Sequence, residues 1–549
     1  MQSNYDTHEE MMATATTHSQ SESSRVTLSH PGTFAGSIGW LLAAIFLLFF
    51  ADGGHTIPLT TWLAPLCLLR FVRAQPRLRG LAIAYAVLVV MRGISYHGMI
   101  PIPGIFYFIF MIISGVSAVM PYLADRFLTP RLLASPSFSP RLRVLTSTLV
   151  FPVVFVVTQF IYTHGPMGSW GSIAYTQSGN LALMQLLSIT GIWGIALLIG
   201  LFASTANYSL ELGLASQPAI KALAIFATAL IAVLILGEAR QTLLRVSSPT
   251  VRIASLSPSG EPHALDALLP AALSSNPTAS ATAAFETAAA AIQDDLFART
   301  EREAQAGAKI ILWSETAAFV LKQDEPALLA RASALAARRQ LYFALAIATW
   351  TPGADRPLEN KVVMIEPTGN IAWQYLKARP TPGPEMAAAA PSDGKLRYID
   401  TPYGRIVAAI CYDMDFVQLM AQAGALKADT VLSPASDWQA IDPRHTEIAS
   451  FRAVEQGFNL VRHANLGSSA AYDYQGHRLA VMDHFRAEPN NRTLVAEVPI
   501  RGTRTLYSLA GDWLAWLAIA TLPLLIYLAL RKTSSHPSGL RSCTSPPPA

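Results

Sequence analysis

Three reactive side chains follow strand-like segments of the sequence. Glu315 follows KIILW, Lys377 follows IAWQY, and Cys411 ends RIVAAIC. Because α/β folds place their working groups at the ends of strands, we expect these three side chains to meet. A thiol attacks a carbonyl carbon as the thiolate, which a nearby base or cation favours. The set predicts Cys411 as nucleophile, Glu315 as base, and Lys377 as the group that stabilises the thiolate and the oxyanion.

Simpler explanations exist for each residue taken alone. A lone cysteine is often a small buried hydrophobe, and a glutamate or lysine at a strand end is often a helix cap or a solvated side chain. Of the three cysteines, only Cys411 lies in a stretch typical of a water-soluble domain, so that stretch has no internal disulfide. A second acid, Glu385, could orient Lys377. The ordered set favours catalysis.

The segments around these residues have the pattern of an α/β domain. Apolar or β-branched runs end in Gly, Pro, Ser or Asn, which is typical of strands. An Ala-rich stretch, 281–306, has apolar residues at near-helical spacing, and the low-complexity stretch 270–280 is predicted to be a loop. The predicted strands are VRIASL (251–256), KIILW (309–313), FALAIATW (343–350), KVVMIEP (361–367), RIVAAIC (405–411), TVLSPA (430–435) and NLVRHAN (459–465).

The rest of the chain has the composition of a membrane protein. Of its 549 residues, 52% are hydrophobic and only 14% are charged, against roughly a quarter charged in soluble domains. Several apolar runs approach the ~20 residues that a helix needs to cross a bilayer. Buried helices of a soluble core would show a polar face, which these runs lack. The runs lie near 36–51, 57–72, 80–97, 101–123, 144–163, 183–205, 219–237 and 512–530.

Arginines in the connections predict the orientation of these helices. They cluster between the second and third runs, between the fourth and fifth, and after the last. The connections 52–56, 98–100 and 164–182 contain neither Lys nor Arg, so the basic connections are predicted to be cytoplasmic. The predicted organisation is a disordered cytoplasmic tail (1–35), seven membrane helices (36–239), a catalytic domain outside the cytoplasm (240–510), an eighth helix (511–531) and a second disordered cytoplasmic tail (532–549).

The order of several short motifs resembles the Glu-Lys-Cys core of the nitrilase superfamily. The motifs are WSET, YLK, PGPE, AICYD, SDW and FRAVEQGFNLVRHANLGSSA. Seven spans before this core and one after it are similar to the membrane-embedded branch of that superfamily, the apolipoprotein N-acyltransferases. The connections SYHGMIPIPG (95–104) and FVVTQFIYTHGPMGSWGSIAYTQ (155–177) also resemble that family's, so the likeness covers residues 36 to 530.

The resemblance implies a fold, an activity and a site. It implies a nitrilase-like α-β-β-α sandwich joined to a multi-span helical membrane domain, in a bacterial inner membrane, with the sandwich on the periplasmic or exterior face. The implied reaction passes an acyl chain from a phospholipid, through a cysteine thioester, to the N-terminal amine of a diacylglyceryl-cysteine apolipoprotein. The matching catalytic residues are Glu315, Lys377 and Cys411, supported by Glu385 and Tyr412. We expect a monomer that needs no cofactor.

Three positions depart from the family's pattern. Ser314 stands where the family usually has proline, and Asp413 stands where it has glutamate. Pro382–Gly383–Pro384 precedes Glu385 where the family has Pro-Phe-Gly. These changes retain the reactive groups, and we expect them to bear on specificity for the acyl donor and acceptor.

Several side chains near the predicted site are candidates for lipid contact. Aromatic residues are common anchors at membrane interfaces, and the apolar run 386–391 could be either a lid or an ordinary Ala-rich loop. Arg452 and Glu455, three residues apart on a helix-like stretch, are predicted to form a structural ion pair. The candidates for substrate or lipid contact are Trp438, Trp170, Tyr175 and Met386.

Two other functions stay open on the sequence alone. The same three residues could serve a membrane-tethered amidase, in which water accepts the acyl group, or the chain could be a catalytically silent protein that binds lipoproteins. Dispersed histidines, and the lack of a phosphate-binding glycine loop or paired cysteines, predict no metal and no nucleotide. The net charge of +4 is too small to indicate nucleic-acid binding.

Overall fold

The computed structural model describes residues 34–243, 247–260, 265, 267–274 and 277–531. The predicted disordered tails, 1–35 and 532–549, lie outside these ranges except for residues 34 and 35, which begin the first helix. The helices before the catalytic domain are α1 (Phe34–Phe49), α2 (Pro58–Ala74), α3 (Arg77–Ser95), α4 (Ile105–Ala134), α5 (Pro140–Thr163), α6 (Leu181–Met184), α7 (Leu187–Thr190), α8 (Ile192–Leu212) and α9 (Gln217–Leu243).

The eight longest apolar helices form the membrane part of the protein. Six of them are long and apolar enough to cross a membrane by length and composition, namely α3, α4, α5, α8, α9 and the last helix of the described chain, α17 (Trp513–Leu530). Helices α1 and α2 have 16 and 17 residues and pack against each other. Charges inside this bundle are paired where Arg73 contacts Asp125 at 2.6 Å and Glu211 at 3.3 Å.

One predicted span is divided in the structure. The sequence predicts a single helix over 183–205, but a turn at Gly191 separates α6 and α7 from α8. Gly191 has a φ of 62°, which favours glycine, and a Cβ there would lie 2.5 Å from the ring of Tyr507. The turn also lets Glu455 of the catalytic domain accept a hydrogen bond from the Ile192 N–H at 3.0 Å, at the start of α8.

The catalytic domain contains two sheets. The first has the strand order β13-β1-β2-β4-β5-β6, with β3 paired to β4, and the second has the order β12-β11-β10-β9-β8-β7. The strands are β1 (Thr250–Leu256), β2 (Ile310–Trp313), β3 (Ala318–Leu321), β4 (Tyr342–Trp350), β5 (Leu358–Ile365), β6 (Ile371–Leu376), β7 (Tyr398–Thr401), β8 (Gly404–Ala408), β9 (Thr430–Ser436), β10 (Asn459–Asn465), β11 (Ser468–Tyr472), β12 (Arg478–Asp483) and β13 (Thr493–Pro499).

The two sheets face each other, and helices cover their outer faces. In β1, Ile253 packs into the core between the sheets, whereas Ala254 and Leu256 pack on the other side against the helices, as the alternation of side chains along a strand requires. The predicted α-β-β-α sandwich is therefore present. The remaining helices are α10 (Leu269–Ala272), α11 (Ala279–Gln305), α12 (Glu325–Arg339), α13 (Pro384–Ala388), α14 (Val417–Ala425), α15 (Arg444–Gln456) and α16 (Leu506–Ala510).

Candidate active site

Cys411 lies at a sharp turn just after a buried strand. Strand β8 ends at Ala408, and Cys411 begins a 3₁₀ turn that ends at Asp415. Its φ of 47° lies in the left-handed region, which costs a non-glycine residue about 1–3 kcal/mol and is often found at functional sites. The residue is 4% exposed. The turn thus holds the thiol in one orientation inside the domain.

Lys377 lies between two carboxylates at the end of β6. Its Nζ contacts Oε1 of Glu315 and Oε2 of Glu385, both at 2.8 Å. Asn360, in β5, donates through Nδ2 to both glutamates at 2.8 Å. The Thr381 N–H donates to Glu385 at 2.8 Å. These hydrogen bonds form one network, which holds the ammonium group and both carboxylates in fixed positions.

The main chain of Ser436 links the acid to the thiol. Ser436 ends β9, and its N–H donates to Oε2 of Glu315 at 2.7 Å. Its carbonyl oxygen lies 3.8 Å from Sγ of Cys411. The structure therefore brings Glu315, Lys377 and Cys411 together from the facing edges of the two sheets.

The charges of this cluster set the protonation of the thiol. Burial, and then the nearby Glu315 carboxylate, raise the pKa of Cys411 well above its ordinary value, and Lys377 only partly offsets them. Burial alone would lower the pKa of Lys377, but Glu315 and Glu385 raise it well above its ordinary value. Cys411 is consequently a thiol beside a fixed ammonium, and it needs a base at the moment of attack.

A narrow pocket leads to the sulfur. Its volume is about 20 Å³, little more than the space that one water molecule needs. One wall comes from the catalytic domain, and the other comes from the connections between membrane helices. The lining residues are Met99, Pro101, Met167, Trp170, Thr381, Pro382, Cys411, Tyr412, Trp438, Ile441 and His445.

Comparison with known families matches both parts of the chain. The carbon-nitrogen hydrolase model matches residues 271–507. The model of the apolipoprotein N-acyltransferase N-terminal domain matches residues 42–205. The chain is thus similar to the apolipoprotein N-acyltransferases, and the two matched regions follow each other in the order that the sequence motifs predict.

Curated members of the apolipoprotein N-acyltransferase family align with different lengths of the chain. The protein from Geobacter metallireducens is 26% identical over 422 residues, which are 72% of this chain and 76% of the relative. The protein from Sinorhizobium medicae is 30% identical over 224 residues, 36% of this chain and 42% of the relative. The protein from Gloeobacter violaceus is 35% identical over 148 residues, 26% of each chain.

Each departure from the family's motifs has a local structural role. Ser314 donates its N–H to the Leu256 carbonyl at 2.8 Å, which a proline, lacking an N–H, would not do. Gly383 has a φ of 114°, and its ideal Cβ lies 3.5 Å from the carbonyl oxygen of Pro101. The positive φ favours glycine here, whereas a Cβ would make only an ordinary contact with the connection between α3 and α4.

Asp413 holds the turn that carries Cys411. Its carboxylate accepts hydrogen bonds from the Ile410 N–H at 2.9 Å, the Arg379 N–H at 2.8 Å and the Tyr375 hydroxyl at 2.8 Å. Burial raises the pKa of Asp413 to about 7 in spite of these donors and Lys377. The shorter acid found here in place of glutamate is thus part of the scaffold behind the nucleophile.

The remaining predicted site residues fall into two groups. Trp170 and Trp438 line the pocket with Tyr412, whose hydroxyl donates to the Pro166 carbonyl at 3.0 Å. Tyr175 does not line the pocket. Its side chain is buried, and its hydroxyl forms hydrogen bonds with the Ser169 hydroxyl at 2.6 Å and with the Arg452 guanidinium, which donates, at 2.8 Å. Met386 is 43% exposed and lies outside the pocket wall.

The predicted ion pair between Arg452 and Glu455 is confirmed. The two side chains contact at 3.0 Å and both are fully buried. Burial raises the pKa of Glu455 to about 7, although Arg452 opposes the shift. The pair lies on α15 beside the turn at Gly191, so it joins the catalytic domain to the membrane part.

A second charged cluster, which the sequence did not single out, adjoins the pocket, and its His445 is part of the pocket wall. His445 contacts Asp415 through Nε2 and Asp437 through Nδ1, both at 2.8 Å. Arg462 donates to both oxygens of Asp437 at 2.9 Å. The ring of Trp170 meets His445 edge-on with centroids 5.6 Å apart. The only features of the sequence that indicated this cluster were the SDW motif and the polar residues within the buried strand β10.

This cluster is balanced in charge without a metal. Cys411, Asp437 and His445 offer ligand atoms within 4.8 Å of one another. However, both ring nitrogens of His445 contact carboxylates, and Arg462 occupies both oxygens of Asp437. A cation there would have to compete with a guanidinium and an imidazolium, so the donor set does not fit a resident metal ion.

Replacing His445 should remove a specific pH dependence of stability. Burial alone would lower the pKa of His445, but Asp415 and Asp437 raise it to about 9, from an unfolded value near 6.5. The protonated histidine therefore stabilises the fold fully below about pH 6.5, and this contribution, roughly 3 kcal/mol, is lost as the pH rises through 9. His445→Gln should lose that slope in denaturant unfolding of the purified protein between pH 6 and 9.

An unchanged slope in His445→Gln would mean that the ring is not charged between the two acids.

Proposed function

We propose that this protein transfers an acyl chain from a phospholipid, through a thioester on Cys411, to the N-terminal amine of a diacylglyceryl-cysteine lipoprotein. One observation carries the proposal. The pocket above Cys411 is built from both the catalytic sandwich and the membrane connections, and the connections contribute Met99, Pro101, Met167 and Trp170. A nucleophile placed there meets substrates that remain in the bilayer.

The first half-reaction forms the acyl-enzyme. Glu315 takes the thiol proton as Sγ attacks the ester carbonyl, and a carbon–sulfur bond forms. The ammonium of Lys377, held 2.8 Å from Glu315, stabilises the oxyanion that develops next to it. The intermediate collapses with loss of the ester oxygen, which takes the proton from Glu315 and leaves as a lysophospholipid.

The second half-reaction passes the chain to nitrogen. The free amine attacks the thioester, and Glu315 accepts the amine proton. The carbon–sulfur bond then breaks, and Glu315 passes that proton to the leaving sulfur, which restores the thiol and the carboxylate. A thioester suits this step because an amine displaces it more readily than an ordinary ester. The free energy stored in the first step is therefore released in forming a stable amide.

Substrate entry requires the pocket to open. At about 20 Å³ the pocket is too small for a hydrocarbon chain, so a wall must move during each cycle. The segment 381–391 is the candidate lid, since Thr381 and Pro382 line the pocket while Met386 is exposed. We infer that α13 moves outward to admit lipid and that Met386 contacts it then.

The proposal includes a location and an oligomeric state. The protein would lie in the bacterial inner membrane with the catalytic domain on the periplasmic or exterior face, because the connections rich in arginine lie at the other end of the bundle. The resemblance to the family supports a monomer that uses no cofactor. The acyl chains of both substrates keep them in the same membrane, at about 0.8 kcal/mol for each buried CH₂.

A transfer assay tests this function. Purified full-length protein in detergent micelles is given a phospholipid with isotope-labelled acyl chains and a synthetic diacylated lipopeptide with a free N-terminus. We expect labelled acyl in amide linkage on the peptide, measured by mass spectrometry. The same peptide with an acetylated N-terminus should give no product. Labelled free fatty acid without amide would instead favour hydrolysis and would contradict the proposal.

A further inference from the structure

A second cavity lies inside the helix bundle, next to the active-site pocket. Its volume is about 120 Å³, and it is bounded by α1–α5 and the connection after α5. Most of its wall is apolar. The apolar residues that define it best are Leu48, Leu88, Met91, Tyr122, Phe155 and Ile173.

Arg92 is the cation in the wall of this cavity. It lies in the last turn of α3, and its Nη1 donates to the Ser114 carbonyl at 3.3 Å. Among the residues that the structure describes, no carboxylate lies within ion-pair distance of its guanidinium, in contrast to Arg73 in the same bundle. A charged group within a membrane helix is costly, and such groups mark sites where a ligand or ion is bound.

The acid in the same wall has other partners. Asp52 bonds the guanidinium of Arg444 and the hydroxyl of Tyr96, and it accepts from the Gly53 N–H at 2.9 Å. Glu447 interacts with Arg444 as well, so Arg444 has two acids beside it, whereas Arg92 has no carboxylate within ion-pair distance among the described residues. The cavity thus combines an available cation with an apolar wall, which fits an anionic amphiphile.

A short segment separates this cavity from the active-site pocket. Met167 and Trp170 face the pocket, whereas Ser169, Gly171 and Ser172 line the cavity. The same change of side occurs after α3, where Tyr96 lines the cavity and Met99 lines the pocket. Arg92 therefore lines the cavity on one side of these two connections, and Cys411 lines the pocket on the other side.

We propose that Arg92 binds the phosphodiester of the phospholipid acyl donor, with hydrocarbon next to the glycerol held by the apolar wall of the cavity. This assignment rests on the proposed function, because it specifies how the phospholipid is held during the first half-reaction. A guanidinium is the side chain best shaped for two hydrogen bonds to a phosphate. The lipoprotein substrate carries a diacylglyceryl group without phosphate, so Arg92 acts in the first half-reaction only.

Two acyl donors test this assignment. Full-length wild type and Arg92→Gln, in detergent micelles, receive either a phospholipid or 4-nitrophenyl palmitate, which has an acyl ester but no phosphate. The readout is the rate at which acyl mass appears on Cys411. Arg92→Gln should be slower with phospholipid by about 10- to 100-fold, the effect of losing a charged hydrogen bond. Its rate with the phosphate-free ester should match the wild type.

Further variants separate binding from folding. Arg92→Lys, which keeps the charge, should recover part of the phospholipid rate. Arg131→Gln removes an arginine at the opposite end of the bundle, where its guanidinium donates to the Phe127 carbonyl, and should leave both rates unchanged. Transfer from pre-acylated enzyme to the lipopeptide should be equal in wild type and Arg92→Gln.

Two results would overturn the assignment. Equal phospholipid rates in wild type and Arg92→Gln would remove Arg92 from the donor site, and an equal fall with both donors would show a structural role. Failure of the wild type to become acylated by either donor would instead reject the proposed function itself.

Discussion

Replacing Cys411 with alanine should lower the rate of acyl transfer by at least about 10⁴-fold, because the variant lacks the thiol that would carry the acyl chain in the proposed mechanism. The measurement is amide-linked acyl on the lipopeptide, together with the intact mass of the protein after incubation with phospholipid. Wild type should gain the mass of one acyl chain, and hydroxylamine should remove it. Neither Cys411→Ala nor Cys411→Ser should form this thioester.

The other described cysteine provides the matched control. Cys67 is buried in α2, so Cys67→Ala should retain both the adduct and the activity. The Cys411→Ala protein should unfold at nearly the wild-type temperature, since the sulfur's one hydrogen bond among the described residues is weak, at 3.8 Å to the Ser436 carbonyl oxygen. An acyl adduct that persists in Cys411→Ala would show that another residue is the nucleophile.

Replacing Lys377 with methionine should damage both catalysis and stability. The change leaves the buried carboxylate of Glu315 and the partly buried carboxylate of Glu385 without their shared ammonium. Breaking a buried ion pair by removing one partner costs about 3–5 kcal/mol, and losing an oxyanion donor slows the chemistry by about 10²–10³-fold. Calorimetric Tm and the single-turnover rate of acyl-enzyme formation measure the two effects.

A double variant separates the two effects. Lys377→Met combined with Glu385→Gln removes one of the two unpaired charges, so it should be more stable than Lys377→Met alone. Its rate of acylation should stay as low as that of the single variant, since the ammonium is still missing. Recovery of the rate along with the Tm would mean that Lys377 acts only by holding the fold together.

The sequence could predict the reactive groups because their positions follow from local patterns. Glu315, Lys377 and Cys411 each follow a short apolar strand, and residues at strand ends in an α/β sandwich converge without any knowledge of side-chain packing. The apolar runs likewise predicted the bundle from length and hydropathy alone. The division of one run at Gly191 escaped this reasoning, because it depends on contact with Tyr507, more than 300 residues later.

The supporting residues could not be predicted for the same reason. Asn360 is one polar residue in a strand, and only the pairing of β5 with β6 places it between two glutamates. His445 contacts Asp415 only because α15, the helix that follows β9, packs over the 3₁₀ turn that follows β8. Trp170 and Tyr175 lie in the same connection, yet only Trp170 lines the pocket. The hydroxyl of Tyr175 instead accepts a hydrogen bond from Arg452 of the sandwich, and the sequence does not show which side chain takes which position.

The turn that carries the nucleophile depends on the membrane part for its own hydrogen bonding. The carbonyl oxygen of Asp415 accepts from both the N–H and the hydroxyl of Ser169, at 2.7 and 2.6 Å. A soluble fragment cut free of the bundle would lose these donors along with the pocket wall that Met99, Pro101, Met167 and Trp170 form. Truncation is therefore a poor route to a simplified enzyme, and ligand screens on an isolated sandwich would sample a cleft that the intact molecule never presents.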